Sequence, residues 1–269
     1  MPRSNDADDR HELISYTDDI YRTAEGSSHP LRRLFPTLDF YRQFGWNVYQ
    51  SSRQARAGVY DEQQWSRTSH MVLKSLESVG VRIEIQGVQN IRSLDSPCVF
   101  VGNHMSMLET IVLPAIIQPV HNVTFVTKQS LLDYPVFRHI LRSRNPVAVS
   151  RNNPREDFKV VMTEGKDRLD RGISIVVFPQ TTRSATFDPA QFNTIGIKLA
   201  SRAGVPVIPI ALQTDAWGNG RRLKDFGRID ATKVVRFAFG PPISVTGRGE
   251  QQHQQVIDFI ESKLAQWSR

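Results

Sequence analysis

Asn103-His104-Met105-Ser106-Met107-Leu108-Glu109 places an imidazole and a carboxylate five residues apart, and Phe178-Pro179-Gln180-Thr181-Thr182-Arg183-Ser184 places a guanidinium among an amide and three hydroxyls. An aliphatic alcohol is a poor nucleophile at neutral pH. A histidine whose one ring nitrogen is held by a carboxylate can take the alcohol's proton on the other. A thioester needs little help in leaving, because its thiolate has a conjugate acid with a pKa of roughly 8.5. Base catalysis with electrostatic support for the oxyanion then suffices, without a covalent enzyme intermediate. Arginine grips phosphate in a two-pronged fork. The two segments together suit transfer of an acyl group to a hydroxyl of an anionic acceptor. Each alone is more readily a helix-capping histidine with a solvated glutamate, or a polar turn; the two together carry the chemistry.

These residues need elements to hold them. Val81–Ile85 alternates as a strand, and Cys98–Val101 is a short apolar run of the kind buried on both faces of a sheet. Further strands are predicted at 123–126, 147–149, 173–178, 205–210 and 233–239. Helices are predicted over 107–117 and 193–203 and at the C-terminus, where Val256, Phe259, Ile260, Leu264 and Trp267 share a stripe. Asn153-Pro154 with Glu156 and Asp157 opens another helix, whose Phe158, Val161, Met162 and Leu169 share a face. Strands alternating with helices imply an α/β fold with a mostly parallel central sheet flanked by helices. Both polar segments follow strands, at the sheet edge where such folds place ligands. Five positions along an ideal helix would separate His104 from Glu109, so they meet only if His104 lies in the preceding turn and folds back.

The chain has 269 residues and a formal charge of +7. Residues 1–25 hold seven acidic side chains against three arginines, a net of −4, which leaves +11 on the remainder. Three regions follow: a flexible acidic segment over 1–29, a helical and aromatic region over 30–80, and an α/β domain over 81–269. A basic body suits an anionic partner. No recognisable nucleic-acid module accompanies the charge, so a nucleic-acid partner is not expected. The single cysteine, Cys98, sits in an apolar run and reads as a core residue. His121 and His139 lack partners at ligand spacing, so neither a metal nor another cofactor is expected. No apolar stretch is long enough to span a membrane. A cytoplasmic protein, peripheral on the inner face of the membrane, is expected.

The ordered pair resembles the glycerolipid acyltransferase family, which includes the lysophosphatidate acyltransferases and carries Asn-His-x-x-x-x-Asp followed by Phe-Pro-Glu-Gly-Thr-Arg-Ser. Lys128-Gln129-Ser130-Leu131, Pro135-Val136-Phe137 and Val149-Ser150-Arg151 resemble the stretch between those motifs, and Val205–Ile210 resembles the family's last block. The likeness covers about residues 81–245. It implies transfer from acyl-CoA or acyl-carrier protein, as co-substrate, to a lysolipid such as 1-acylglycerol 3-phosphate. His104 is implied as base, Glu109 as its partner, and Arg151 and Arg183 as the grip on the anionic headgroup. Lys128, Gln180, Thr181, Thr182 and Ser184 complete the implied substrate-binding set.

Three positions depart from the family pattern. Glu109 stands for aspartate, keeping the charge and adding a methylene. Gln180 stands for glutamate and Thr181 for glycine, which leaves the acceptor open to other lysolipids or to a non-phosphate headgroup. A non-catalytic acyl- or lipid-binding protein on the same fold is the alternative reading. Membrane access falls to segment 31–80, where Arg32, Arg33, Arg42, Arg53, Arg56 and Arg67 interleave with aromatics, as on helices lying on an anionic membrane surface. The same segment could equally cap the core. Trp217, in Asp215–Gly220, is read as a turn anchor or a lid. Arg221, Arg222 and Lys224 follow it.

Overall fold

The structure, a computed structural model, describes residues 13–268 except 136, 181 and 221–223. In chain order the elements are β1 (Ile20–Arg22), α1 (Pro30–Leu34), α2 (Pro36–Arg56), α3 (Glu62–Ser78), β2 (Arg82–Gln86), α4 (Gln89–Arg92), β3 (Val99–Gly102), α5 (Leu108–Ile117), β4 (Val123–Lys128), α6 (Arg138–Ser143), β5 (Val147–Val149), α7 (Pro154–Asp170), β6 (Ser174–Val177), α8 (Ile195–Ala203), β7 (Val207–Gln213), β8 (Val234–Phe239) and α9 (Glu250–Trp267). The eight strands form one sheet in the order β1-β2-β8-β7-β3-β6-β4-β5. The β1–β2 and β7–β8 pairs are antiparallel and the rest are parallel.

The apolar runs are explained by burial on both sides. On β3, Phe100 joins the core under α2, α3 and α5, while Val99 and Val101 join the core under α7, α8 and α9. On β6, Val176 turns one way and Ile175 and Val177 the other. This period-two alternation buries every side chain of a central strand, which is why these strands are nearly all apolar and the one serine of β6, Ser174, accepts from the Cys98 N–H. Cys98 is wholly buried, and burial pushes its thiol up to about 12, so it is a packing residue. Helix α7 opens on Asn153–Pro154 as its spacing predicts, with the Asn153 side chain accepting from the Arg155 and Glu156 N–H groups. Its expected apolar face holds at Val161, Met162 and Leu169, whereas Phe158 is exposed.

The acidic segment differs from its reading as flexible over 1–29. Residues 1–12 lie outside the described residues, but Ile14 is buried and β1 pairs with β2. Asp18 and Asp19 have φ of 50° and 60°, and Thr17 and Ile20 exchange backbone hydrogen bonds across them. Two successive left-handed residues make the tight turn whose twist suits a hairpin, and aspartate tolerates that backbone region. Two of the acids in that segment, Asp18 and Asp19, are thus the turn itself.

Helices α1–α3 cover the 30–80 region. Along α2, Phe40, Phe44, Val48 and Ser51 face inward, while Leu38, Trp46 and Tyr49 are exposed. No helix is long and apolar enough to cross a membrane among the described residues.

Candidate active site

β7, β3, β6, β4 and β5 run parallel, so their C-terminal ends share one edge of the sheet. That edge collects Thr214 after β7, His104 after β3, Gln180 and Thr182–Ser184 after β6, Lys128 at the end of β4 and Arg151 after β5. Residues far apart in sequence become neighbours because the strands before them pair in register.

His104 lies in the turn between β3 and α5, and Glu109 sits in the first turn of α5. The ring folds back as the five-residue spacing requires, bringing His104 Nδ1 to 2.8 Å from Glu109 Oε1. Glu109 is fully buried and accepts five further hydrogen bonds from four groups: the Met105 N–H (2.6 Å), the Ser106 N–H (2.9 and 3.2 Å to its two oxygens), the Ser106 hydroxyl (3.0 Å) and the Thr214 hydroxyl (2.6 Å). Burial pushes the carboxyl up. The hydrogen bond and charge of His104, the Thr214 hydroxyl and the Ser106 N–H outweigh it and hold Glu109 below the usual carboxylate range. An ionised Glu109 only accepts, so Nδ1 carries a proton toward it; whenever the ring is neutral, Nε2 presents the lone pair.

The turn that carries the ring is tied from both sides. Gln180 Oε1 accepts from the His104 N–H at 2.7 Å, and the Ser184 N–H donates to the His104 carbonyl at 2.9 Å. Asn103, just before it, donates to the Leu212 carbonyl (2.9 Å) and accepts from the Leu212 N–H (2.8 Å), so its amide extends the β3–β7 ladder by one rung. Asn219 donates to the Met105 carbonyl at 3.1 Å. The His104 ring lies on Phe178, with centroids 4.4 Å apart and planes 6° from parallel.

Arg183 joins this centre directly. Its Nε–H points at His104 Nε2 across 3.4 Å, and its Nη1 lies 2.5 Å from Asp225 Oδ1. Arg151 holds a left-handed backbone, φ 62°, with the Ser150 and Arg151 N–H groups both donating to the Asp157 carboxylate at 2.7 Å. Its guanidinium is lowered from the ordinary arginine value, first by burial and then by the charge of Arg183. The two cations are therefore within electrostatic reach of each other, with Asp157 partly offsetting the repulsion.

The remaining predicted residues divide. Gln180 is buried and its side-chain carbonyl accepts from the His104 N–H. The Ser184 hydroxyl accepts from the Thr186 N–H in its own turn. Thr182 is exposed beside Arg183, and Lys128 is exposed at the end of β4. Thr181, Arg221 and Arg222 lie outside the described residues. Trp217 is wholly buried against Phe40, Tyr41 and Phe44 of α2, which makes it the anchor of its turn and removes the lid reading. Thr214, Asn219 and Asp225 were not foreseen as site residues. Thr214 and Asn219 are common polar residues beyond any recognisable motif, and Asp225 follows a basic run that suggested only positive charge.

The acyltransferase family model matches residues 82–213. The 1-acyl-sn-glycerol-3-phosphate acyltransferase of Pseudomonas aeruginosa is 29% identical over 204 residues, which cover 76% of this chain and 75% of that protein. The enzyme of the same description from Escherichia coli is 26% identical over 201 residues, covering 73% and 78%. The crystal structure of the 1-acyl-sn-glycerophosphate (LPA) acyltransferase from Thermotoga maritima superposes with a TM-score of 0.64 at 21% identity, over 88% of this chain and 96% of that one. That last likeness is one of fold.

Proposed function

We propose that this chain, whose residues 82–213 match the acyltransferase family model, moves a fatty acyl group from acyl-CoA or acyl-carrier protein to a hydroxyl of 1-acylglycerol 3-phosphate or a closely related lysophospholipid. The observation that carries the reading is the contact chain from Glu109 through His104 to Arg183. It sets a proton acceptor beside a cation at a sheet edge.

In this reading His104 Nε2 takes the proton of the acceptor hydroxyl while Nδ1–H stays on Glu109, which stabilises the imidazolium as it forms. The alkoxide oxygen attacks the thioester carbonyl and a tetrahedral oxyanion forms. Its collapse breaks the C–S bond, and the departing thiolate takes the proton back from His104. Arg183 and Arg151 hold the acceptor's phosphate, which fixes the hydroxyl within reach of the ring. The guanidinium of Arg183 must turn its Nε–H from Nε2 toward the phosphate for the lone pair to accept a proton. Lys128 and Thr182 flank this edge and add contacts to the headgroup.

The docking surface is α1 and the outer face of α2. Leu31, Leu34, Phe35 and Leu38 are 67–72% exposed and follow one another at helical spacing, with Trp46 and Tyr49 further along. Arg32, Arg33, Arg42 and Arg53 lie among them. Apolar side chains beside arginines suit an anionic lipid surface, here the inner face of the cytoplasmic membrane.

Thiol release from acyl-CoA, and separately from acyl-carrier protein, with lysophosphatidate as acceptor tests the chemistry. His104→Ala is expected to reduce transfer to background with either donor. Equal release by wild type and variant would remove His104 from the reaction.

A further inference from the structure

Phe178 is the first residue past β6, and the alternation of that strand places it on the side of Val176, against the core under α2, α3 and α5. Its ring meets that of Phe125 on β4, with centroids 6.5 Å apart and planes at 34°. Phe125 in turn meets Trp65 of α3 edge-on, at 6.0 Å and 69°. The aromatic row ends at His104, whose ring lies 4.4 Å from that of Phe178 and 6° from parallel. Phe178 is thus backed by a strand and a helix and offers its flat face to the imidazole.

Glu109 Oε1 faces Nδ1 of that imidazole at 2.8 Å, and Arg183 Nε faces Nε2 at 3.4 Å. These two charged groups act in opposite senses once the ring gains a second proton. Glu109 attracts the imidazolium and the Arg183 guanidinium repels it. The Phe178 ring carries no net charge, but its π electrons make its face the negative side of a quadrupole. A neutral imidazole stacked there gains mainly dispersion, whereas an imidazolium gains a cation–π attraction as well. The stack covers that face and His104 is buried, so water does not compete for it. The attraction appears only as the proton arrives. An interaction stronger in the transition state than in the ground state raises kcat rather than affinity.

Building on the reading that His104 takes the acceptor's proton, we infer that Phe178 is a positioning residue of the transfer, whose π face stabilises the imidazolium formed when the hydroxyl proton reaches Nε2. The proton then leaves with the thiolate and the stack returns to its neutral state. Phe178 itself gains and loses nothing.

The test replaces Phe178 in the full chain with phenylalanines carrying one, three and five ring fluorines. Fluorine withdraws electron density from the π face and changes the shape of the ring little. Thiol release is followed with lysophosphatidate and whichever donor is turned over. Across the series kcat is expected to fall stepwise, by about tenfold in all, with the acceptor's KM unchanged. Phe178→Leu keeps an apolar side chain without a π face and is expected to fall at least as far; its thermal midpoint shows whether it folds. A kcat that stays flat across the fluorinated series overturns the inference whatever Phe178→Leu does, because packing alone then accounts for the residue. A KM that rises while kcat holds also overturns it, since the ring would then serve acceptor binding. His104→Ala separates this from the underlying reading. Equal release by wild type and that variant removes the base itself, whereas release lost there with a flat fluorinated series removes this inference alone.

Discussion

The ring of His104 lies flat on the ring of Phe178, 4.4 Å between centroids, while its Nδ1 is tied to Glu109. One face and one nitrogen are thereby committed. The ring presents a single functional atom, Nε2, to the edge where Arg183 stands. Neither contact alone fixes the ring: the hydrogen bond permits rotation about its own axis, and the stack permits sliding.

Glu109→Gln is expected to lower kcat by about 10²–10⁴-fold, the range for disabling a positioned base, with little change in the acceptor's KM. The amide oxygen can still accept from Ser106 and Thr214, so the fold persists, but nothing charged remains to stabilise an imidazolium. Steady-state kinetics with a folded variant checks this. A kcat within a few-fold of wild type would count against the dyad.

The depressed Glu109 carboxyl makes stability fall in acid. The unfolded carboxyl titrates near 4.3, above the folded value, so over the window between them the unfolded chain binds more protons and stability rises with pH. The contribution is complete above roughly pH 5 and is lost as pH drops through the folded value. Urea unfolding midpoints from pH 7 down to pH 3 are expected to decline more steeply for wild type than for Glu109→Gln. Parallel curves would mean the carboxylate is no better held folded than unfolded.

Thr214→Val removes a 2.6 Å hydrogen bond to a buried, charged oxygen at nearly constant volume. A loss of about 1.5–3 kcal/mol of stability is expected, the usual range for hydrogen bonds to charged groups. A drop in kcat should accompany it, because Thr214 helps orient the Glu109 carboxylate. Thermal denaturation paired with kinetics reads both. A fall in Tm with full kcat would make Thr214 a purely structural partner.

Leu31, Leu34, Phe35 and Leu38 add little to the core, so replacing them with serine is expected to leave the folded state intact and weaken binding to vesicles. Each apolar side chain entering the lipid boundary contributes roughly 1–2 kcal/mol. Sedimentation with anionic vesicles should therefore show the quadruple variant losing well over tenfold in partitioning. Undiminished binding would move the docking surface elsewhere.

The parts of the site legible in the sequence are those carried by local spacing. His104 lies in the turn before α5 and Glu109 in the first turn of that helix, and their five-residue separation already implied the fold-back. The strand β3 declared itself as a short apolar run because it is buried on both faces. What stayed hidden is set by partners distant in sequence. Thr214 reaches Glu109 only because β7 lies beside β3. The contact of the Gln180 carbonyl with the His104 backbone depends on β3 and β6 lying side by side, which composition does not show. The β1 hairpin was masked by its acids, since aspartates in a left-handed turn and aspartates in a solvated tail look alike without the pairing that distinguishes them.

Trp217 gives the molecule one more property. Its indole is wedged among Phe40, Tyr41 and Phe44, on the inner side of the helix whose outer side shows Trp46 and Tyr49. From Trp217 the chain runs within two residues to Asn219, which holds the Met105 carbonyl, and on to Asp225 against Arg183. Trp217 thus belongs to two structures at once: the aromatic packing under α2 and the turn whose Asn219 steadies the residue next to His104.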